Sequence, residues 1–471
     1  SSPSKFSFPL VSMREIPATL EAMRVSRTRL ARQFLGCLVG QLPLTTVLCS
    51  NEVPPGNCEG VEGECAAESA FASSASTSHL RWRGFPYRVS NPAFARTIYG
   101  GDYIRAAFKE RGFSGPVEGD DWDLLWTHRP QEGLPVTSRP RLVNHCKYFG
   151  GAGDKCGLAR HVARLQTASA PAGHRYFRTY ELSRPGQVAE WRRTVLEQPG
   201  QYWLLKPCLG GASRGIQILR GQEAIDVAQK EFSQETAVAQ EYLGRPFLGF
   251  GGRKFHLRLY VLVARWAPVG AFLYDNGLVF RSLHPYDNSP GNRDIFSSIS
   301  ASVEALPLAA LWQHLDATAA AAPAELAESA GPHGAVLPAS TVRSRIVGLL
   351  QELLGTKLEE SFGNPKAQQW PGNTGCFDLF GADVILDSEL RPLVMEINSG
   401  PNMWISDHGE GHQDVLAAVK RPMVQQIAHW AAVRLQQPLG SPGPESAATT
   451  SDAIAGSAEE SVALVNFTRL L

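Results

Sequence analysis

The sequence predicts an α+β chain, and three observations carry the prediction. Between residue 81 and about residue 300, short apolar runs alternate with Gly- and Pro-marked turns, the pattern of strands in sheets. Val342, Ile346, Leu349, Leu350, Leu353 and Leu354 recur at spacings of three and four, which places them on one face of a helix. Apolar residues make up 43% of the 471 and charged ones 19%, a balance that can bury a sizeable core and argues against wholesale disorder. The 45 Lys and Arg match the 45 Asp and Glu, so the formal net charge is zero and a polybasic nucleic-acid binder is excluded. No apolar run approaches the ~20 residues of a bilayer-crossing helix, so no membrane span is expected.

Along the chain, residues 1–79 read as an N-terminal extension. Arg24, Arg27, Arg29 and Arg32 lead into the apolar run Leu35–Leu48. Two readings of residues 24–50 stay open: a targeting segment, or an extension with a short buried helix. Residues 51–79, rich in Gly, Ser, Ala and Glu, read as a linker. Folded sequence is expected from Leu80, with Trp82, Phe85 and Tyr87 close behind. Arg139, Arg141 and Lys147 read as solvated charges, with an acceptor-docking face as the other reading. Ala305–Ser340 is Ala- and Pro-rich and reads as part of an insertion over 302–340. Thr341 is the expected N-cap of the helix that follows, and a last helix is expected over Asp414–Leu435. Residues 437–471 read as a disordered tail, and Arg469 is their single basic residue. The eight cysteines include no CxxC pair and are expected as reduced thiols; in an exported chain the four N-terminal ones could pair.

Three segments carry chemistry. In Gly375–Trp404, Phe377–Leu386 and Arg391–Asn398 read as two strands joined at Asp387-Ser388-Glu389. Glu396 and Asn398, two apart on one strand, share a face, and pairing about the turn brings Asp383 to them. Three such oxygen ligands suit Mg²⁺, a hard cation; the bland alternative is a hairpin with solvated acids. In Gln201–Arg220, strand Tyr202–Lys206 runs into Gly210, Gly211 and Gly215, and Ile216–Leu219 returns. Such a loop can lay its backbone N–H groups over phosphates, with Lys206 and Arg214 adding charge, or can simply turn the chain. It is not a Walker A loop, because no GK[ST] follows the glycines. In Ala237–Tyr260, Lys254, His256 and Arg258 share one strand face, which suits a phosphate-bearing ligand or a solvated edge.

Taken in order, these segments resemble the tubulin–tyrosine ligase-like family of ATP-grasp ligases. The resemblance runs from about Asp120 to Trp404 and includes DWDLLW at 121–126, VNHCKYFGGAGDKCGL at 143–158, and Lys206-Pro207 with Arg214-Gly215-Ile216. It continues through Gln240-Glu241-Tyr242-Leu243, Lys254-Phe255-His256-Leu257-Arg258, Tyr274-Asp275-Asn276-Gly277 with Arg281, and Asp383, Glu396 and Asn398. It implies a three-lobed ATP-grasp domain over 80–436, with lobes at about 80–165, 166–247 and 248–436 and nucleotide between the central and C-terminal lobes. It further implies ATP and Mg²⁺, a free amino acid, and tubulin or microtubules as protein substrate. The expected product is Tyr, Glu or Gly joined to a protein through an acyl phosphate. The setting is cytoplasmic, with the cytoskeleton or cilia, or secretory or organellar if residues 24–50 are a targeting segment; a monomer is expected. In these terms Lys206 neutralises the α/β-phosphates, Arg214 and Gly215 support the loop over them, Gln240–Leu243 hold adenine, Lys254 contacts nucleotide, and Arg258 grips the transferring phosphate or the activated carboxylate. Asp383, Glu396 and Asn398 hold the metal.

Two features depart from the family pattern. His256 stands where members usually carry Asp, and the HLTN motif is absent, with Asn292–Ile299 in its place. Two other functions therefore stay open: a nucleotide- or microtubule-binding pseudoenzyme, and a ligase with a non-tubulin acceptor.

Overall fold

The computed structural model describes residues 80–84, 101–128, 134, 137–146, 153–168, 176–209, 215–232, 236–266, 269–287, 303–322, 336–355, 372–405, 412–436 and 464–471. The chain divides into Ser1–Ser76 and Thr77–Leu471, and every described residue lies in the second unit. The targeting and linker expectations, Arg214, Lys147 and the segment Asn292–Ile299 lie outside the described residues.

In chain order the elements are β1 (Leu80–Gly84), α1 (Asp102–Glu110), β2 (Phe113–Ser114), β3 (Leu124–Trp126), β4 (Thr137–Val143), α2 (Lys155–Ala168), β5 (Thr179–Glu181) and α3 (Pro185–Glu197). Then come β6 (Tyr202–Pro207), β7 (Gln217–Arg220), α4 (Gly221–Glu231), β8 (Ala237–Glu241), β9 (Phe255–Trp266), β10 (Val269–Ser282), β11 (Val303–Pro307) and α5 (Leu308–Ala321). The rest are α6 (Ala339–Gly355), β12 (Gly372–Cys376), β13 (Asp378–Leu386), β14 (Pro392–Asn398), α7 (Gln413–Gln436) and β15 (Phe467–Arg469). The fold is mixed helix and sheet, as expected.

Three sheets organise it. The first has order β12-β4-β3-β1-β2 and parallel pairing throughout. The second, β5-β8-β6-β7, is antiparallel. The third is antiparallel with order β11-β10-β9-β13-β14, and β15 runs beside β10. Both faces of the third sheet are covered, because alternate residues of β9 enter different cores. Leu257, Leu259, Val261 and Val263 pack with α5 and α6, while Tyr260 and Leu262 pack with α7 and the first sheet.

The hairpin of β13 and β14 forms as the turn residues predict. Asp387 fixes that turn by accepting the Glu389 and Arg391 amides at 2.9 Å each and Arg391 Nε at 2.8 Å. The helix read from Val342–Leu354 buries all six of those apolar residues, but it starts at Ala339. Its first amide, Ala339, donates to Asp316 Oδ1 of α5 at 2.8 Å, so a neighbouring helix supplies this cap and Thr341 lies within the helix.

Within the stretch read as an insertion, residues 303–322 are ordered, and Leu308, Leu311, Trp312 and Leu315 give α5 a buried stripe. Four further expectations are corrected. The final residues 464–471 are ordered, because β11 covers β10 only from Leu278 to Ser282 and β15 pairs with the edge left at Phe272–Tyr274. Arg141 is buried beside the Trp122 ring, with Arg139 paired to Asp121 and Asp123. Finally, not all the thiols are reduced. Cys146 is bonded to Cys376 and Cys156 to Cys208, with Cα atoms 5.1 and 5.3 Å apart. The fold brings together cysteines that lie 230 and 52 residues apart in sequence, which spacing alone could not reveal. The boundary drawn at residue 165 also cuts through α2, whose Leu158, Val162 and Leu165 join the core of the third sheet.

Candidate functional site

The second sheet presents one face to helices and the other to the site. Trp203 and Leu205 of β6 and Ala237 and Ala239 of β8 pack on Trp191, Val195, Ala224 and Ile225 of α3 and α4. The period of two then sends Lys206, Val238 and Gln240 the opposite way. Lys206 Nζ donates to Gln240 Oε1 at 2.6 Å, and both side chains are buried.

Across from it, three strands of the third sheet set a row of charges. Asp383 is the register partner of Arg258 on β9 and of Glu396 on β14, so the three side chains share one face. Arg258 grips Asp383 with two hydrogen bonds, Nε to Oδ1 at 2.5 Å and Nη2 to Oδ2 at 3.0 Å. Asn398 Nδ2 lies 3.4 Å from Asp383 Oδ2 and 3.2 Å from Glu396 Oε1. Gly381 makes room for this row. A Cβ there would meet Pro401 Cβ at 2.9 Å and Arg258 Cδ at 3.2 Å.

Burial sets the electrostatics. Desolvation lowers the Lys206 pKa to about 8, against the pull of Glu396 and Asp383. Desolvation, with help from Lys206, brings Lys254 to about 7. The Lys254 ammonium donates to the Tyr242 hydroxyl at 3.0 Å and sits 4.3 Å from that ring's centre. Burial and the Arg258 charge hold His256 neutral, with a pKa of about 3. Its ring stacks on Phe280 at 5.3 Å, and its Nε2 is buried with no hydrogen-bond partner among the described residues. Burial works to lower the Arg258 pKa, but the Asp383 carboxylate outweighs it and holds the guanidinium above its ordinary value.

The expected residues Lys206, Gln240, Tyr242, Lys254, His256, Arg258, Asp383, Glu396 and Asn398 are thus brought together. Three others sit apart from the charged row. Glu241 points to the helix side of its sheet and pairs with Arg178 at 3.0 Å. Leu243 packs against an apolar cluster of Phe177, Ile385 and Leu393. Gly215 marks the end of the loop after β6 with φ +73°, a conformation L side chains rarely adopt. Arg281 also faces away, donating to Glu304 at 2.7 Å, while its neighbour Phe280 lies opposite His256.

Lys155 was not singled out as a site residue. Its ammonium lies 3.5 Å from Glu396 Oε2, and its charge acts on Lys206. The available signal was its position in the first turn of α2, where a cation opposes the helix dipole and needs an acidic partner. A cavity of about 20 Å³ lies here, bordered by Lys155, Phe177, Lys206, Gln240, Val394 and Met395. A larger cavity, about 450 Å³, opens beside Arg245, Phe247, His314 and Leu390 but borders none of the charged row. Size and chemistry therefore part company, and the charged side chains mark the site. Among the described residues, Asp154, Cys156 and Cys208 also bring ligand-type atoms within 4.8 Å, but the two sulfurs are bonded to each other.

Comparison with known proteins identifies the family. The model of the tubulin-tyrosine ligase family matches residues 140–297 and 349–430, which hold every residue of the charged row. The tubulin polyglutamylase ttll6 of Danio rerio is 25% identical over 321 residues, covering 64% of this chain and 38% of that protein. The human tubulin polyglutamylase TTLL7 is 25% identical over 321 residues, covering 64% of this chain and 34% of the relative. The human tubulin polyglutamylase TTLL5 is 25% identical over 307 residues, covering 60% and 22%. The chain thus spans well under half the length of these curated relatives. Since the family model covers just over half of the chain, the chain belongs to the tubulin-tyrosine ligase family.

Proposed function

We propose that the chain is an ATP-dependent ligase that joins an amino acid to a protein carboxylate, with tubulin as acceptor. The row Arg258–Asp383–Glu396 carries this reading, with Asn398 and Lys155, Lys206 and Lys254 around it. On this reading the three sheets are the lobes of an ATP-grasp fold, and nucleotide enters between the second and third sheets. The names of the polyglutamylase relatives favour glutamate as the amino acid added. A place with microtubules in the cytoplasm or cilia follows from that acceptor.

The donor set fits Mg²⁺. Two carboxylates and a side-chain amide converge, and the amide nitrogen now facing both acids exchanges with its oxygen by rotation about one bond. Asp383, Glu396 and Asn398 would hold Mg²⁺, which would supply charge neutralisation for the nucleotide phosphates. Lys206 and Lys254 offset the negative charge of the nucleotide, and each gains a proton more readily as that charge arrives. The backbone from Gln240 to Leu243 orients the base, and Gly215 lets the loop from β6 approach the phosphates; Arg214 is assigned there by resemblance. Arg258 stabilises charge on the transferring phosphoryl group. A carboxylate oxygen attacks the γ-phosphorus and ADP leaves. An amine then attacks the acyl phosphate carbon, losing a proton as the C–N bond forms and phosphate departs. Catalysis of this kind is positioning and charge stabilisation.

A second reading is a nucleotide-binding protein without turnover. The neutral His256 and the apolar Phe280 beside it favour that alternative. One assay separates the two. Purified protein is mixed with Mg-ATP, tubulin and labelled Glu, Tyr or Gly, with Glu396→Gln as control. Label entering tubulin with one amino acid, and absent in the control, supports the ligase and names its substrate. ATP binding without transfer to tubulin, or to the proteins of a ciliary extract, supports the second reading.

A further inference from the structure

We propose that Cys156 and Cys208 form a redox-switched clamp across the site, closing it to nucleotide when oxidised and freeing it when reduced. The clamp rests on reading this cleft as the nucleotide site. Cys156 sits in the first turn of α2, next to Lys155, and Cys208 follows Lys206-Pro207 at the end of β6. The two cysteines sit on different elements. α2 is packed by Leu158, Val162 and Leu165 into the core of the third sheet and meets β5 of the second through Arg160 and Glu181 at 2.8 Å, whereas β6 lies within the second sheet, which has a core of its own. Between them the Lys155 amide donates to the Cys208 carbonyl at 3.3 Å, and the two cysteines pack with Val238 and Ala159.

The cavity that these elements border measures about 20 Å³. An ordinary ligand pocket holds about 300 Å³ or more, so the walls must separate before a nucleotide base can enter. One wall carries Lys155 and Leu158 of α2, and the other carries Lys206, Val238 and Gln240 of the second sheet. The Cys156–Cys208 bond ties those two walls together at the phosphate end. The other bonded pair does not. Cys146 and Cys376 follow the adjacent strand β4 and end β12, which are already hydrogen-bonded within one sheet.

The oxidant is a peroxide, small enough to reach cysteines that are 3% exposed. One thiolate attacks a peroxide oxygen, giving a sulfenic acid and, after protonation, one water. The second thiolate displaces the sulfenic oxygen as a second water and forms the S–S bond. Two thiols lose two electrons and hydrogen peroxide gains them. A dithiol returns the pair to thiols.

The test uses the full chain after hydrogen peroxide or dithiothreitol treatment, with the Cys156–Cys208 link verified by peptide mass spectrometry. Two readouts are taken: the association rate of a fluorescent ATP analogue with Mg²⁺, and hydrogen exchange at the Lys155 amide. Closing the competent state lowers apparent association in proportion to its population, so oxidation is expected to slow binding by about tenfold or more. Dithiothreitol restores the rate, Cys208→Ser abolishes the response, and Cys146→Ser keeps it. Exchange at Lys155 is slower in the oxidised chain. Equal association rates in the two verified states, or a response that survives in Cys208→Ser, overturn the clamp. If neither state binds nucleotide, the reading of the cleft falls. Exchange at Lys155 then decides the remainder: equal exchange in the two states overturns the clamp, and slower exchange after oxidation supports it as a closure of the cleft.

Discussion

Arg258 and Asp383 stand opposite each other on neighbouring strands, joined by two hydrogen bonds at 2.5 and 3.0 Å and buried to 8% and 2% exposure. Both charges have left water, so each depends on the other. Removing one partner from such a pair costs about 3–5 kcal/mol, because the survivor stays buried and unpaired. Asp383→Ala is therefore expected to lower the unfolding free energy by about that amount. Arg258→Met with Asp383→Leu should lose much less, since it removes both charges together. Urea denaturation of the wild type, the single and the double variant checks this. A double variant as unstable as the single would show that the charges were not coupled.

Lys254 gives the site a pH dependence whose sign is fixed. Its folded pKa of about 7 lies below the ordinary 10.5, because burial penalises the ammonium and Lys206 repels it. Between those values the unfolded chain binds more protons at this residue than the folded chain does. Stability then rises with pH across the window from about 7 to about 10. Lys254→Met has no such penalty to relieve. The stability of the variant relative to wild type should therefore fall steadily as pH is raised from 7 toward 10. Paired thermal melts in nucleotide-free buffer measure the difference, and a constant gap would contradict the assignment.

The tail shows where composition reading fails and why. Residues 437–471 look disordered because Pro, Gly, Ser and Ala dominate them. The average hides Leu464, Phe467 and Leu470, which recur at intervals of three and are buried to 1%, 8% and 4%. Their partner is an edge of β10, invisible until the sheet is assembled. The hairpin of β13 and β14 was legible by contrast, because its turn and both strands are local. The charged row is intermediate. Spacing put Glu396 and Asn398 on one face, but the pairing of Asp383 with Arg258 spans 125 residues and needs the register of β9. The cysteine pairs failed for the same reason of distance. Fully burying side chains of this size is worth about 1.5–3 kcal/mol each, an upper bound here. Deleting residues 464–471 should therefore lower the melting temperature by several degrees. Calorimetry on the truncated and the full chain makes the comparison.

Lys155 and Glu396 offer the sharpest separation of fold from function. Their charged atoms lie 3.5 Å apart, and the side chains keep 14% and 25% of their exposure. A partly solvated pair of this kind contributes about 0–1 kcal/mol, so Lys155→Met should melt within a few degrees of wild type. The lysine nevertheless borders the cavity with Lys206 and faces one of the acids assigned to the metal. Without it a polyphosphate loses one nearby positive charge, and Glu396 loses the group that orients it. An electrostatic contact of this kind commonly carries about tenfold or more in rate when it acts on developing charge. The expected outcome is a fall of that size in kcat/KM for ATP with thermal stability kept, and recovery in Lys155→Arg, which retains the charge. Loss of stability in step with activity would instead make Lys155 a structural residue that merely sits beside the site.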